Sequence, residues 1–249
     1  MAEETGFLER PDGERIAWRR RPGRAPTVVW LGGFRSDMGG TKAEALDAAA
    51  ADRGWAYLRF DYFAHGESSG DWREAAIGRW RADALAAIDA LTEGPLVLVG
   101  SSMGGWIACL VALARAERIR AMVLIAPAPD FTEVLMRPQL SPGAVRAIER
   151  DGEWIEQSAY DGAFAITSTF LDEGRDWLIL DKPVAIEAPV RILQGMRDPD
   201  VPWGHALKLA EAITSDDIVF SLIKDGDHRL SRPQDLERLV AAVSGLVSA

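Results

Sequence analysis

Short apolar runs alternate along this chain with longer stretches whose apolar residues recur at helical spacing. Thr27–Leu31 (TVVWL), Trp55–Phe60, Leu96–Val99, Ala121–Ile125 (AMVLI), Val190–Leu193 and Ile218–Ile223 read as strands. Several lack polar alternation, which predicts burial on both faces and hence a parallel sheet. The intervening pattern predicts helices over Lys42–Arg53, Gly78–Leu91, Trp106–Ala114, Trp203–Ile213 and Pro233–Val247. Near the start, Phe7–Glu9 and Ile16–Trp18 flank the turn signal Pro11-Asp12-Gly13, as an antiparallel hairpin at a sheet edge would. The expectation is an α/β fold: a mostly parallel, eight-stranded sheet with helices on both faces.

From about Asp130 to Glu187 this rhythm stops. Helix-like pieces, turn residues and the aromatics Trp154, Tyr160, Phe164, Phe170 and Trp177 appear, without a convincing strand. Residues 1–249 are therefore expected to form one domain, with a helical lid inserted at about 130–187. Such a lid would cover the carboxyl ends of the strands, where open α/β sheets bind their ligands.

The stretch LVLVGSSMGGW places Gly100-Ser101-Ser102-Met103-Gly104 between a strand and a helix. G-x-S-x-G in that context predicts a nucleophile elbow, with Ser102 on a strained turn and its hydroxyl clear of the sheet. A serine hydroxyl needs a neighbouring base, and three histidines are available. His65 precedes the serine in a glycine-rich loop, and His205 opens a helix. His228 follows the last strand in KDGDHRL and fits the chain order nucleophile, acid, histidine. Asp198, in QGMRDPDVPW after the strand Val190–Leu193, is the favoured acid, with Asp200 and Asp130 as alternatives. Asp225 and Asp227 read as a solvated turn. Two backbone N–H groups should hold the oxyanion: that of Met103 at the start of its helix, and that of Phe34 after Gly32-Gly33. Because the base must be neutral, activity is expected to rise as the imidazole loses its proton.

Composition narrows the partners. With 48% hydrophobic and 27% charged residues the chain is globular, and its net charge of −10 disfavours nucleic acid and anionic membranes. No apolar run is long enough to span a bilayer, and the segment MAEETGFLERPDG does not look like a signal peptide. The one cysteine, Cys109, reads as a core residue and fits a reducing compartment, so a cytoplasmic location is expected. GSSMGG is neither a dinucleotide fingerprint nor a phosphate loop, and no His/Cys/Asp/Glu cluster has metal-ligand spacing. No cofactor and no metal are expected.

These residues resemble a known family. GSSMG, the loop after TVVWL, QGMRDPDVP and GDHRL are similar to the corresponding pieces of the α/β-hydrolase superfamily. A closer resemblance runs through GGFRSDMGGTKA, RFDYFAHGESSG, GRWRADALAAID and GPLVLVGSSMGGW, to the mitochondrial abhydrolase-domain group of S-palmitoyl thioesterases and acyl-glucuronide esterases. It implies Ser102, Asp198 and His228 as a catalytic triad, and hydrolysis of esters or thioesters in a small-molecule or acyl-protein substrate. Carbon–carbon bond hydrolysis or lactone opening by the same triad is the alternative. The chain departs from many wider relatives in carrying Gly32-Gly33 where they have His-Gly.

Overall fold

Ten strands and seven α-helices account for most of the computed structural model, which describes residues 2–158 and 162–248. The chain opens with β1 (Glu4–Glu9), β2 (Arg15–Arg21) and β3 (Arg24–Leu31), then α1 (Thr41–Arg53) and β4 (Trp55–Phe60). Next come α2 (Ile77–Leu91), β5 (Leu96–Ser101), α3 (Met103–Ala114) and β6 (Ile119–Ile125). A segment holding α4 (Pro142–Asp151), β7 (Glu153–Ser158), β8 (Gly162–Thr167) and α5 (Ser168–Glu173) follows. The chain closes with β9 (Val190–Gly195), α6 (Trp203–Ala212), β10 (Ile218–Ile223) and α7 (Pro233–Val247).

Eight strands form one sheet in the order β1-β2-β4-β3-β5-β6-β9-β10. β1 and β2 pair antiparallel at one edge, and β2 joins β4 antiparallel; from β4 to β10 every pairing is parallel. The unbroken apolar strands follow from burial on both faces. Val29, Leu31, Leu96, Leu98, Met122 and Leu124 pack into the core beneath α2 and α3. Their alternating neighbours Val28, Trp30, Val97, Val99 and Val123 pack with Ala43 and Leu46 of α1 and Leu239 and Val243 of α7. The carboxyl ends of the six parallel strands consequently lie along one edge of the sheet.

The segment between β6 and β9 differs from the expected helical lid. It contains α4, a π-helical turn at Thr132–Met136 and α5, but β7 and β8 also pair antiparallel, from Glu153↔Thr167 to Ser158↔Gly162. Each of these strands has six residues, EWIEQS and GAFAIT, too few for a period of two to separate from a helical one. Pairing across the chain stabilises them. Trp72 Nε1–H donates to Ala165 O at 2.9 Å, and Arg73 pairs with Glu153, which ties the hairpin to the loop before α2. Tyr160 lies outside the described residues.

Candidate active site

Strand β5 delivers Ser102 directly into α3. Its backbone sits at φ 54, ψ −120, a region costly for any residue with a Cβ. Ser102 N–H donates to Ile125 O at 2.9 Å, while Ser102 O accepts from Gly105 and Ala128 at 2.9 and 3.0 Å. These bonds hold the strained turn. The turn also needs bare backbone beside it: a Cβ on Gly104 would stand 2.0 Å from Leu31 O.

His228 and Asp198 arrive from the ends of β10 and β9, which approach each other closely. A Cβ on Gly195 would meet Gly226 O at 2.4 Å, and Arg197 N–H donates to Gly226 O at 2.9 Å. His228 Nδ1–H donates to Asp198 Oδ2 at 2.8 Å, which leaves Nε2 as an acceptor 3.2 Å from Ser102 Oγ. Asp198 has a fully buried side chain, whereas His228 keeps 23% exposure at the mouth of the site. The acid is held by its own loop: Oδ1 accepts from the N–H groups of Asp200 and Val201 at 2.9 and 2.8 Å. Gln194 Nε2–H donates to Oδ2 at 3.1 Å and to Val201 O at 3.1 Å. Gln194 escaped sequence reading, although a polar residue ending an apolar strand four positions before the acid is a usable signal. Lys42 Nζ, from the GGTKA motif, donates to Arg229 O at 2.6 Å and so braces the turn after His228; burial pulls its pKa down to about 8.

The alternatives lie elsewhere. His65 is buried in the loop after β4, where Nε2 accepts from Arg35 N–H at 3.1 Å and Nδ1–H donates to Phe63 O at 3.0 Å. Burial pushes its pKa down to about 4, so the ring is neutral. His205 Nε2–H donates to Pro129 O at 2.8 Å, and burial lowers its pKa too. Asp130, its pKa raised by burial, accepts from Ile179 and Leu180 N–H and so joins the two ends of the segment between β6 and β9. Asp225 pairs with Arg232, and Asp227 Oδ1 accepts from Leu230 N–H. Cys109 is buried in α3 with its thiol pKa pushed up to about 12.

The two candidate oxyanion donors flank Ser102. Met103 N–H is at the first position of the twelve-residue α3, at the positive end of its dipole. Phe34 follows Gly33, whose backbone lies against the serine: a Cβ there would be 3.5 Å from Ser102 Cβ. The Phe34 ring packs among Trp72, Trp80, Phe131, Phe164 and Phe170, with ring centroids 5.1 to 6.0 Å away.

Linear spacing also misses a group that folding assembles. Single oxygen or nitrogen atoms of Asp198, Asp200 and His228 lie within 4.8 Å of one another. The Asp198 carboxylate in that group is already engaged by His228, Gln194 and two N–H groups.

Comparison with known proteins gives the same architecture. Residues 26–145 match the family model described as alpha/beta hydrolase fold. The chain is 37% identical over 243 residues to the mitochondrial palmitoyl-protein thioesterase ABHD10 of Bos taurus, spanning 97% of this chain and 79% of that protein. A protein of Agrobacterium vitis S4 described as a hydrolase superposes with a TM-score of 0.95 at 42% identity, covering 99% of this chain and 100% of its own. Mouse alpha/beta hydrolase domain-containing protein 10 superposes with a TM-score of 0.90 at 36% identity, covering 98% of both chains. The expectation of a cytoplasmic location is corrected by the ABHD10 relatives of Bos taurus, Mus musculus and Homo sapiens, which are mitochondrial proteins. A lone buried cysteine and a globular composition do not distinguish one reducing compartment from another. With this identity sustained over nearly its whole length, the chain belongs to the α/β-hydrolase family, in the group that includes the mitochondrial palmitoyl-protein thioesterase ABHD10.

Proposed function

We propose that this chain hydrolyses carboxylic esters or thioesters of acyl groups through an acyl-enzyme formed on Ser102. The observation that carries the reading is the hydrogen-bonded line from Asp198 through His228 to Ser102, at 2.8 and 3.2 Å. Ser102 Oγ attacks the acyl carbonyl while His228 Nε2 takes its proton, and the buried Asp198 carboxylate holds the tautomer and stabilises the imidazolium. The Phe34 and Met103 N–H groups receive the charge on the carbonyl oxygen. As the tetrahedral intermediate collapses, the bond to the leaving oxygen or sulfur breaks and His228 hands that atom its proton. Water then attacks the acyl-serine, again deprotonated by His228, and the acid leaves with Ser102 restored.

Residues 130–187 act in this reading as a lid over the site, and the acyl chain lies along the aromatic patch that Phe34 shares with Phe131, Phe164 and Phe170. The thioesterase name of the ABHD10 relatives extends the substrate class to long-chain acyl thioesters on proteins. Each enclosed methylene contributes about 0.8 kcal/mol, so eight more carbons would favour a long chain by roughly 6 kcal/mol. The test is fluorophosphonate labelling with turnover of a panel of acyl esters and thioesters. Wild-type protein should label and turn over; Ser102→Ala should do neither. Substantial activity in that variant would remove the reading.

A further inference from the structure

The Phe34 N–H belongs to the Gly33–Phe34 peptide, and the orientation of that peptide decides where the hydrogen points. In a trans peptide the C=O and N–H point in opposite directions, so fixing one fixes the other. The Gly33 carbonyl is held twice by one residue: Ser36 N–H donates to it at 3.1 Å and Ser36 Oγ–H at 2.8 Å. A flip that turned the Phe34 N–H away from its present direction would break both bonds.

The chain on either side is pinned as well. Gly33 has little room beside the nucleophile: a Cβ there would stand 3.3 Å from Ser101 O and 3.5 Å from Ser102 Cβ. Arg35, at φ 58, is kept in the left-handed region by its N–H bond to His65 Nε2. Met38 N–H donates to Asp61 Oδ1 at 2.7 Å, and the second oxygen of that carboxylate accepts from Glu67 N–H. The loop from β3 to α1 is thus tied at three points, and the tie on the donor-bearing peptide itself is the Ser36 side chain and N–H. The hydroxyl is the part of that tie open to substitution, because Ser36 is exposed and packs in no core.

We propose that Ser36 is a positioning residue for the oxyanion hole, its hydroxyl holding the Gly33–Phe34 peptide with the Phe34 N–H directed at the developing oxyanion. This rests on the reading of the chain as a Ser102 hydrolase. Without the hydroxyl, one of the two bonds is gone and part of the population presents the Gly33 carbonyl, or a tilted N–H, to the substrate. The loss is felt where charge develops on the acyl oxygen and not where the acyl chain or leaving group binds. Ser36 therefore acts on kcat rather than on KM.

The test compares wild type, Ser36→Ala and Ser36→Thr on one p-nitrophenyl ester, with rates taken per site titrated by a fluorophosphonate so that unfolded protein does not enter. Ser36→Ala should lower kcat about tenfold, equivalent to ~1.4 kcal/mol, with KM unchanged. It should weaken binding of an alkyl boronic acid, which forms a tetrahedral adduct on the serine, by a similar factor. Ser36→Thr, which restores the hydroxyl, should recover most of both. An unchanged kcat in Ser36→Ala, a loss carried by KM, or a Ser36→Thr variant no better than alanine overturns the inference. A wild type whose turnover does not depend on Ser102 overturns the underlying reading instead, and is distinguished by the Ser102→Ala control.

Discussion

At the carboxyl edge of the sheet, Asp198 accepts four hydrogen bonds and its loop is laid against the loop that carries His228. Over that edge, the segment between β6 and β9 is held differently. It meets the body through a broad aromatic contact, with Phe164 and Phe170 against Phe34 and Phe131 against Trp106, and through scattered hydrogen bonds such as those that Trp72 and Trp106 donate to Ala165 O and Trp177 O. Its roots are joined through Asp130, which accepts from Ile179 and Leu180. Directional bonds set atoms to a few tenths of an ångström, as transfer of a proton from Ser102 to His228 requires. Apolar contacts scale with area and tolerate changes of shape, as selection among acyl chains requires. On the proposed reading, the edge serves the chemistry and the overlying segment the fit.

The largest effect should come from the acid. Asp198→Asn keeps the shape, but its amide N–H would favour the histidine tautomer whose Nε2 carries hydrogen and cannot take the serine proton. kcat should fall roughly 10⁴-fold with little change in melting temperature. A much smaller loss would mean that the edge is less exacting than its geometry. Phe170→Ala in the overlying segment should do the reverse. Removing this buried ring from contact with Phe34, Trp80 and Phe131 should cost about 3–5 kcal/mol of stability and flatten the preference in kcat/KM between acetyl and palmitoyl esters. The acetyl ester should be turned over nearly as before. A loss on acetyl comparable to that of Asp198→Asn would abolish the distinction between the two regions.

Acid should act on the edge through His65. Its pKa falls from 6.5 to about 4 on burial, so folding favours the neutral ring. The unfolded chain takes up the proton first as pH drops. The stability this group contributes is complete above about 6.5 and is lost as pH falls through about 4, to a total of about 3 kcal/mol. Denaturant midpoints measured from pH 7 to pH 4 should show that fall, and it should shrink in His65→Gln, which still offers an acceptor to Arg35. An equal slope in both proteins would assign the acid sensitivity to other groups.

What was legible in the chain differs between the same two regions. Trp55–Phe60 and Ile218–Ile223 are strands at their expected limits, because each is a short, mainly apolar run bounded by polar or glycine residues, Gly54 and Asp61 in one case and Asp217 and Lys224 in the other. The Gly100–Gly104 motif could be read because the elbow needs bare backbone at fixed offsets from Ser102. The overlying hairpin could not, since β7 and β8 are short and gain their stability from each other. The expected cytoplasmic location is overturned by the mitochondrial relatives, because neither a lone buried cysteine nor the lack of a recognisable signal peptide separates the cytoplasm from another reducing compartment.

By itself, then, the sequence determined the parallel sheet, its helices and the candidate serine, histidine and acid, because local pattern and motif spacing carry those directly. The tertiary structure decided which acid meets His228, for Asp130 ties Ile179 and Leu180 while Asp198 alone stands 2.8 Å from Nδ1. It also decided the bond from Gln194 to that acid, and the bonds from Ser36 to the peptide beside the nucleophile. Hydrogen bonds have direction as well as partners, and direction exists only once strands distant in sequence have been set side by side.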